Sequence, residues 1–284
     1  MIPAEFDYYR PKDMPGVISL LEQHGDTARV LAGGHSLIPL MKVRMAEVNH
    51  LIDLKDVADI HSIQVTTDNV KIGAMVTQHA IIEHGELAAA APILREAALQ
   101  ISDPQVRYMG TVGGNIANGD PANDMPGLMQ CLDATFTVVG PNGLRDIAAR
   151  NFYEAAYVTA RADDEILTQV TIPTYSGGYA YEKQKRKIGD YATAAAAVLI
   201  TKDGYYCTDA SVAMTNLSDT PIFSKDAGSA LIGTTLDDRS LKAAINAMIS
   251  DIDPAADNRG PVEFKKHVAG KILHRAIESA WTRA

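Results

Sequence analysis

Two glycine pairs constrain this chain more than any other feature. One lies in Ala32-Gly33-Gly34-His35-Ser36 and the other in Thr111-Val112-Gly113-Gly114-Asn115. Each stands between residues that read as the end of one element and apolar residues and a proline that suit a new one. Glycine permits positive φ and lets another group approach the backbone without a Cβ in the way. Amides turned into one concavity make a seat for phosphate oxygens. Two such turns, 80 residues apart in sequence, could grip a diphosphate from both sides.

Composition removes several alternatives. Of 284 residues, 46% are apolar and 21% charged, the balance of a globular protein with a sizeable core. A net charge of −9 argues against a general nucleic-acid binder, which needs a basic surface. No apolar run approaches the roughly 20 residues of a membrane-spanning helix, and the N-terminus does not read as a signal peptide. The chain therefore reads as cytoplasmic. Its two cysteines, Cys131 and Cys207, cannot supply the four ligands of an iron–sulfur cluster and read as small buried hydrophobes. No CxxC or HExxH spacing suggests zinc.

The first third reads as α/β. A helix is expected over 17–24, strands over 29–32, 50–54 and 70–75, and a helix capped by Thr77 running to about residue 83. One helix is expected over 86–101, ended by Ser102-Asp103-Pro104. The stretch 118–127, dense in Gly, Pro, Asn and Asp, reads as irregular chain. Strands are expected over 135–139, 165–172 and 179–187. An Asp203-Gly204 hairpin should join the strands 194–202 and 205–215, and amphipathic helices should close the chain over 241–250 and 264–281. Side-chain acceptors on Asn118, Asp120, Asn123 and Asp124 suit a polyol, although such residues also satisfy their own backbone in turns.

The glycine segments 29–39 and 111–121, taken with Ile72-Gly73-Ala74, residues 103–107, residues 182–194 and Met214-Thr215-Asn216, form an ordered set spanning nearly the whole chain. This set resembles the FAD-binding medium subunit of molybdenum hydroxylases, the xanthine dehydrogenase and aerobic carbon monoxide dehydrogenase family. The carbon monoxide enzymes are the nearest in pattern. The resemblance implies an α+β fold. A two-lobed FAD-binding domain of the vanillyl-alcohol-oxidase-like (PCMH) type would span 1–176, with lobes of about 1–56 and 57–176. A smaller α+β C-terminal domain, a three-stranded antiparallel sheet with helices, would span 177–284.

Carried over position by position, the resemblance places Ala32, Gly33, Gly34, His35 and Ser36 around the diphosphate of a non-covalent FAD. Thr111, Val112, Gly113, Gly114 and Asn115 would face them. Asp124 would meet the cofactor, Leu167 and Lys183 would lie near the isoalloxazine, and Tyr191 could stack on or gate the ring. A lysine ammonium at that edge favours the reduced anion and raises the flavin potential. Lys183, Lys185, Arg186 and Lys187 alternate on a strand, so one set could face the cofactor and the other a partner.

The resemblance also implies partners: a small subunit with two [2Fe–2S] clusters and a large molybdopterin subunit, as a dimer of heterotrimers. The complex would pass electrons to a quinone, NAD or oxygen, and it could bring the chain to the inner face of the membrane. Two alternatives stay open. One is a self-contained flavin oxidase of the same fold, with substrate over the ring. The other is a binding module that has lost its flavin.

Overall fold

A computed structural model describes all residues, Met1–Ala284. The chain begins with a small parallel sheet. Strands β1 (Asp7–Tyr9), β2 (Ala28–Leu31) and β3 (His50–Asp53) lie in the order β1-β3-β2. Helix α1 (Met14–His24) carries β1 to β2, with Asp13 accepting from the Gly16 N–H as its N-cap. The short α2 (Leu37–Lys42) carries the chain from the first glycine pair toward β3.

A second sheet follows, in the order β4-β5-β10-β6-β7. It contains β4 (Ile63–Val65), β5 (Asn69–Gly73), β6 (Thr135–Gly140), β7 (Gly143–Ala148) and β10 (Ile166–Pro173), all paired antiparallel. A two-stranded ribbon, β8 (Tyr153–Ala155) with β9 (Val158–Thr159), lies between β7 and β10 in sequence. Six helices connect β5 to β6. They are α3 (Gln78–Glu83), α4 (Gly85–Ala90), α5 (Pro92–Gln100), α6 (Pro104–Met109), α7 (Val112–Ala117) and α8 (Asp124–Cys131).

Three expectations for this stretch are corrected. The single helix over 86–101 is two, because Pro92 cannot donate and restricts Ala91 before it. Asp103-Pro104 opens α6 as well as ending what precedes, with Asp103 accepting from the Val106 N–H. The irregular stretch stops at Asn123. Residues from Asp124 form α8, every one of them buried, so tertiary burial overrides the turn-forming composition.

The last third carries a four-stranded antiparallel sheet, β11 (Gly178–Gln184), β12 (Ala194–Asp203), β13 (Tyr206–Thr215) and β14 (Ile222–Phe223). It has one short edge strand more than the expected three. The hairpin forms as expected, with Gly204 at φ +58°. Helices α9 (Lys225–Ser229), α10 (Asp238–Asp251) and α11 (Val262–Arg283) complete the chain.

The pleat of β12 explains how the layers join. Ala195, Ala197 and Leu199 belong to the core shared with the second sheet, whereas Ala194, Ala196, Val198 and Ile200 belong to the core under α10 and α11. Alternate residues face opposite layers. Alanine on both faces lets both layers approach closely, so this run reads apolar without being a membrane segment. No helix is long and apolar enough to cross a membrane.

Candidate functional site

The two glycine segments meet in space. A Cβ on Gly33 would stand 2.2 Å from the Met109 carbonyl oxygen, and one on Gly114 would stand 3.3 Å from Ala32 Cβ. Gly34 has φ +77°, which turns the chain out of β2. Around this junction lies a cavity of about 930 Å³. That volume is at the upper end of the roughly 300–1,000 Å³ typical of ligand sites.

The two segments present different chemistry. In the first, the N–H groups of Gly33, Gly34, His35 and Ser36 have no acceptor in the protein. All four residues, with Ala32, line the cavity. Four consecutive free amides on a turn form a seat for an anion. In the second, the four amides of 112–115 are engaged. Val112 donates to the Val76 carbonyl, Gly113 to Ala74, Asn115 to Thr111, and Gly114 to Thr111 Oγ1 at 3.0 Å.

The second pair is therefore no open turn. Gly113 and Gly114 sit in the first turn of α7, N-capped by Thr111, and their lack of a Cβ serves close packing. A Cβ on Gly113 would come within 2.4 Å of Ala74 Cβ. Thr111, Gly113, Gly114 and Asn115 still line the cavity. The Thr111 hydroxyl, already accepting from Gly114, keeps its proton to donate. Val112 does not line the cavity. It is fully buried in the core, because the helical turn points it inward.

The polar loop divides in the same way. Asp120 caps its own turn by accepting from the Ala122 N–H at 2.9 Å and does not line the cavity. Asn123 Nδ2 donates to the Asn115 carbonyl at 2.8 Å. Asn115 Oδ1 accepts from the Met125 N–H, which leaves the Asn115 amide nitrogen free.

At the C-terminal side of the cavity stands a buried ion pair. Lys183 Nζ lies 2.8 Å from Asp124 Oδ2, with side chains 1% and 6% exposed. The Tyr181 hydroxyl donates to Asp124 Oδ1 at 2.5 Å. Tyr181 and Lys183 are two apart on β11 and so share a face. Asp124 is the first residue of α8, where a carboxylate is favoured by the helix dipole. Burial, and then the Asp124 charge, hold the Tyr181 phenol well above its ordinary range. Both Asp124 and Lys183 line the cavity.

The loop after β11 folds over this end. Gly189 abuts Ser102, a residue with φ +42°. Asp190 binds Arg186 at 2.9 Å and Arg259 at 3.4 Å, and Arg259 lies over the Tyr191 ring. Tyr191 itself is 43% exposed and lines the cavity. Leu167 lines it from β10, next to Ile166, which packs with Leu21 and Ala28 of the first unit. The loop before β10 carries Arg161, which also lines the cavity and whose pKa burial lowers; its guanidinium donates to the Glu165 carbonyl at 2.7 Å. Sequence reasoning missed Arg161, Tyr181 and Gln78. Gln78 also lines the cavity and carries no local signal beyond following a helix cap.

Fold and cavity together define an α+β protein with a large ligand-sized cavity, free amides that suit an anion at one side and a buried lysine–aspartate pair at the other. Comparison with known proteins narrows the class. Residues 4–175 match the FAD binding domain in molybdopterin dehydrogenase, and residues 179–280 match the CO dehydrogenase flavoprotein C-terminal domain. The chain is 52% identical to the carbon monoxide dehydrogenase medium chain of Afipia carboxidovorans, covering 100% of this chain and 99% of that one. Identity to the medium chain of Hydrogenophaga pseudoflava is 40%, again over 100% and 99%. A crystal structure of the Cu,Mo-CO dehydrogenase, in its cyanide-inactivated form, superposes with a TM-score of 0.98 at 52% identity over the full length of both chains. The chain belongs to the FAD-binding flavoprotein family of molybdopterin dehydrogenases, within its carbon monoxide dehydrogenase medium-chain group.

Proposed function

We propose that this chain is the FAD subunit of a carbon monoxide dehydrogenase-type complex. It would stand beside a small subunit with two [2Fe–2S] clusters and a large subunit with a molybdenum cofactor. The observation that carries the reading is the run of four acceptor-less amides, Gly33 to Ser36, facing the same cavity as Asp124 and Lys183. Full-length identity of 52% to a carbon monoxide dehydrogenase medium chain supports the complex and its substrate. The layout agrees with a two-lobed FAD-binding domain over about 1–176 and a C-terminal domain over about 177–284, since no sheet crosses that boundary.

Bound FAD would supply the redox chemistry, with the partner subunit's clusters as electron donor and a quinone, NAD or oxygen as acceptor. The chain's own residues bind and orient the cofactor. The free amides of 33–36 and the Thr111 hydroxyl would hold the diphosphate, with the Asn115 amide nitrogen beside them. Glycine at 114 would let both turns close on it. Leu167 would give apolar contact, and Tyr191 would shield the ring at the cavity mouth. Lys183 would act on the flavin edge with its charge partly balanced by Asp124.

In the purified full chain supplied with FAD, a flavin spectrum is the expected result. The colour should pass to the supernatant on acid precipitation, as a non-covalent cofactor requires. A chain that stays colourless in excess FAD sinks the reading. Yellow colour retained in the pellet would instead assign a covalent bond, with His35 the residue to examine.

Lys183→Ala should lower the flavin midpoint potential in the holo complex while leaving much of the FAD bound. Removing the ammonium leaves the Asp124 carboxylate beside the ring without its counter-charge, which disfavours the reduced anion. Spectroelectrochemistry measures this, and an unchanged potential would take Lys183 away from the flavin.

A further inference from the structure

One buried polar side chain in the cavity has no partner at all. Gln78 is 1% exposed, and neither its Oε1 nor its Nε2 makes a hydrogen bond. Its backbone is fixed beside the second glycine segment. The Gln78 N–H donates to the Gly110 carbonyl at 2.9 Å, and Thr77 is bridged antiparallel to Thr111. The side chain lines the cavity where the two glycine segments meet.

A buried carboxamide with both ends unmade costs stability, so such groups are rare unless a ligand completes them. Lys183, Asp124 and Thr111, which line the same cavity, are already engaged within the protein. Gln78 alone among these makes no side-chain hydrogen bond at all within the protein.

Resting on the FAD reading above, we infer that Gln78 is a cofactor ligand, its carboxamide bonding a hydroxyl of the ribityl chain. The chemistry favours a hydroxyl over the diphosphate as its partner. A diphosphate presents only acceptors and would leave Oε1 orphaned. A hydroxyl both donates and accepts, and so can satisfy either end of the amide. The position of Gln78 at the junction of the two segments sets it next to the proposed diphosphate seat, where the ribityl chain would leave it toward Lys183.

The test compares the full chain with its Gln78→Met variant, which keeps length and apolar volume and removes both polar atoms. FAD affinity, measured by fluorescence titration of nucleotide-free protein, should fall about tenfold or more. The thermal midpoint of the nucleotide-free variant should stay equal or rise, because an orphaned amide has been removed. ADP, which has the diphosphate and no ribityl chain, should bind both proteins alike.

Equal FAD affinity in variant and wild type would overturn the inference while leaving the FAD reading intact, because the wild type still binds. An equal loss for ADP would overturn the ribityl assignment. A variant that fails to fold, or melts lower without nucleotide, would make Gln78 a structural residue and overturn the inference as well. Absence of FAD binding in the wild type would instead sink the reading on which it rests. Gln78→Glu gives a second variant of the same shape with no donor and an added charge, for which a larger loss of FAD affinity is expected.

Discussion

Gly114→Val should leave a folded chain that has lost most of its flavin. A Cβ at this position would stand 2.8 Å from Thr111 Oγ1 and 3.3 Å from Ala32 Cβ, and the two methyl groups of valine need still more room. The Thr111 cap would have to shift, and Ala32 with it, which moves the turn that carries the free amides. Losing about 3 kcal/mol of binding would weaken FAD affinity by roughly 100-fold or more. Gly114→Ala, whose Cβ meets the same two atoms without the two further methyl groups of valine, should retain an intermediate flavin content. The ratio of flavin absorbance to protein measures both variants, and circular dichroism checks the fold. Full flavin in the valine variant would show that the two segments do not act as one cradle.

The largest effect on stability is expected at Asp124. Asp124→Ala strands the Lys183 ammonium at 1% exposure and removes the acceptor of the Tyr181 hydroxyl. Breaking one partner of a buried pair typically costs about 3–5 kcal/mol. For a chain of this size that corresponds to a fall in the melting midpoint on the order of 10 °C. The double variant Asp124→Leu with Lys183→Met should recover much of that stability, because apolar replacement removes the desolvation cost along with the attraction. Flavin content should stay low in both, since the single variant lacks Asp124 and the double variant lacks both cavity groups. Calorimetry of the single and double variants decides the point. If the single variant melts with the wild type, the pair makes no net contribution to the fold.

Much of the architecture was open to reading from residues alone. Strand-like runs marked β3, β6, β10 and the β12–β13 hairpin, and Thr77 and Asp203-Gly204 punctuated their elements by local chemistry. Local rules misled where burial overrode them. Residues 124–131 form a helix despite their Asp, Pro and Gly, and the glycines at 113 and 114 are helical. A glycine pair that opens a turn and one that lets two backbones touch look alike in sequence. Only the neighbours, Ala74 for Gly113 and Ala32 for Gly114, distinguish them.

The site followed the same division. The identity and order of the glycine, aspartate and lysine segments sufficed to point to a bound flavin nucleotide, because residues that must shape such a cradle have few chemical substitutes. The tertiary structure alone decided which amides remain free, that Asp124 and Lys183 are paired with Tyr181 on one face of β11, and that Gln78 faces the cavity without a partner. Whether a polar group is satisfied depends on atoms far away along the chain, 57 positions in the case of Tyr181 and Asp124. Such satisfaction follows from strand register and layer packing, which no local stretch of residues encodes.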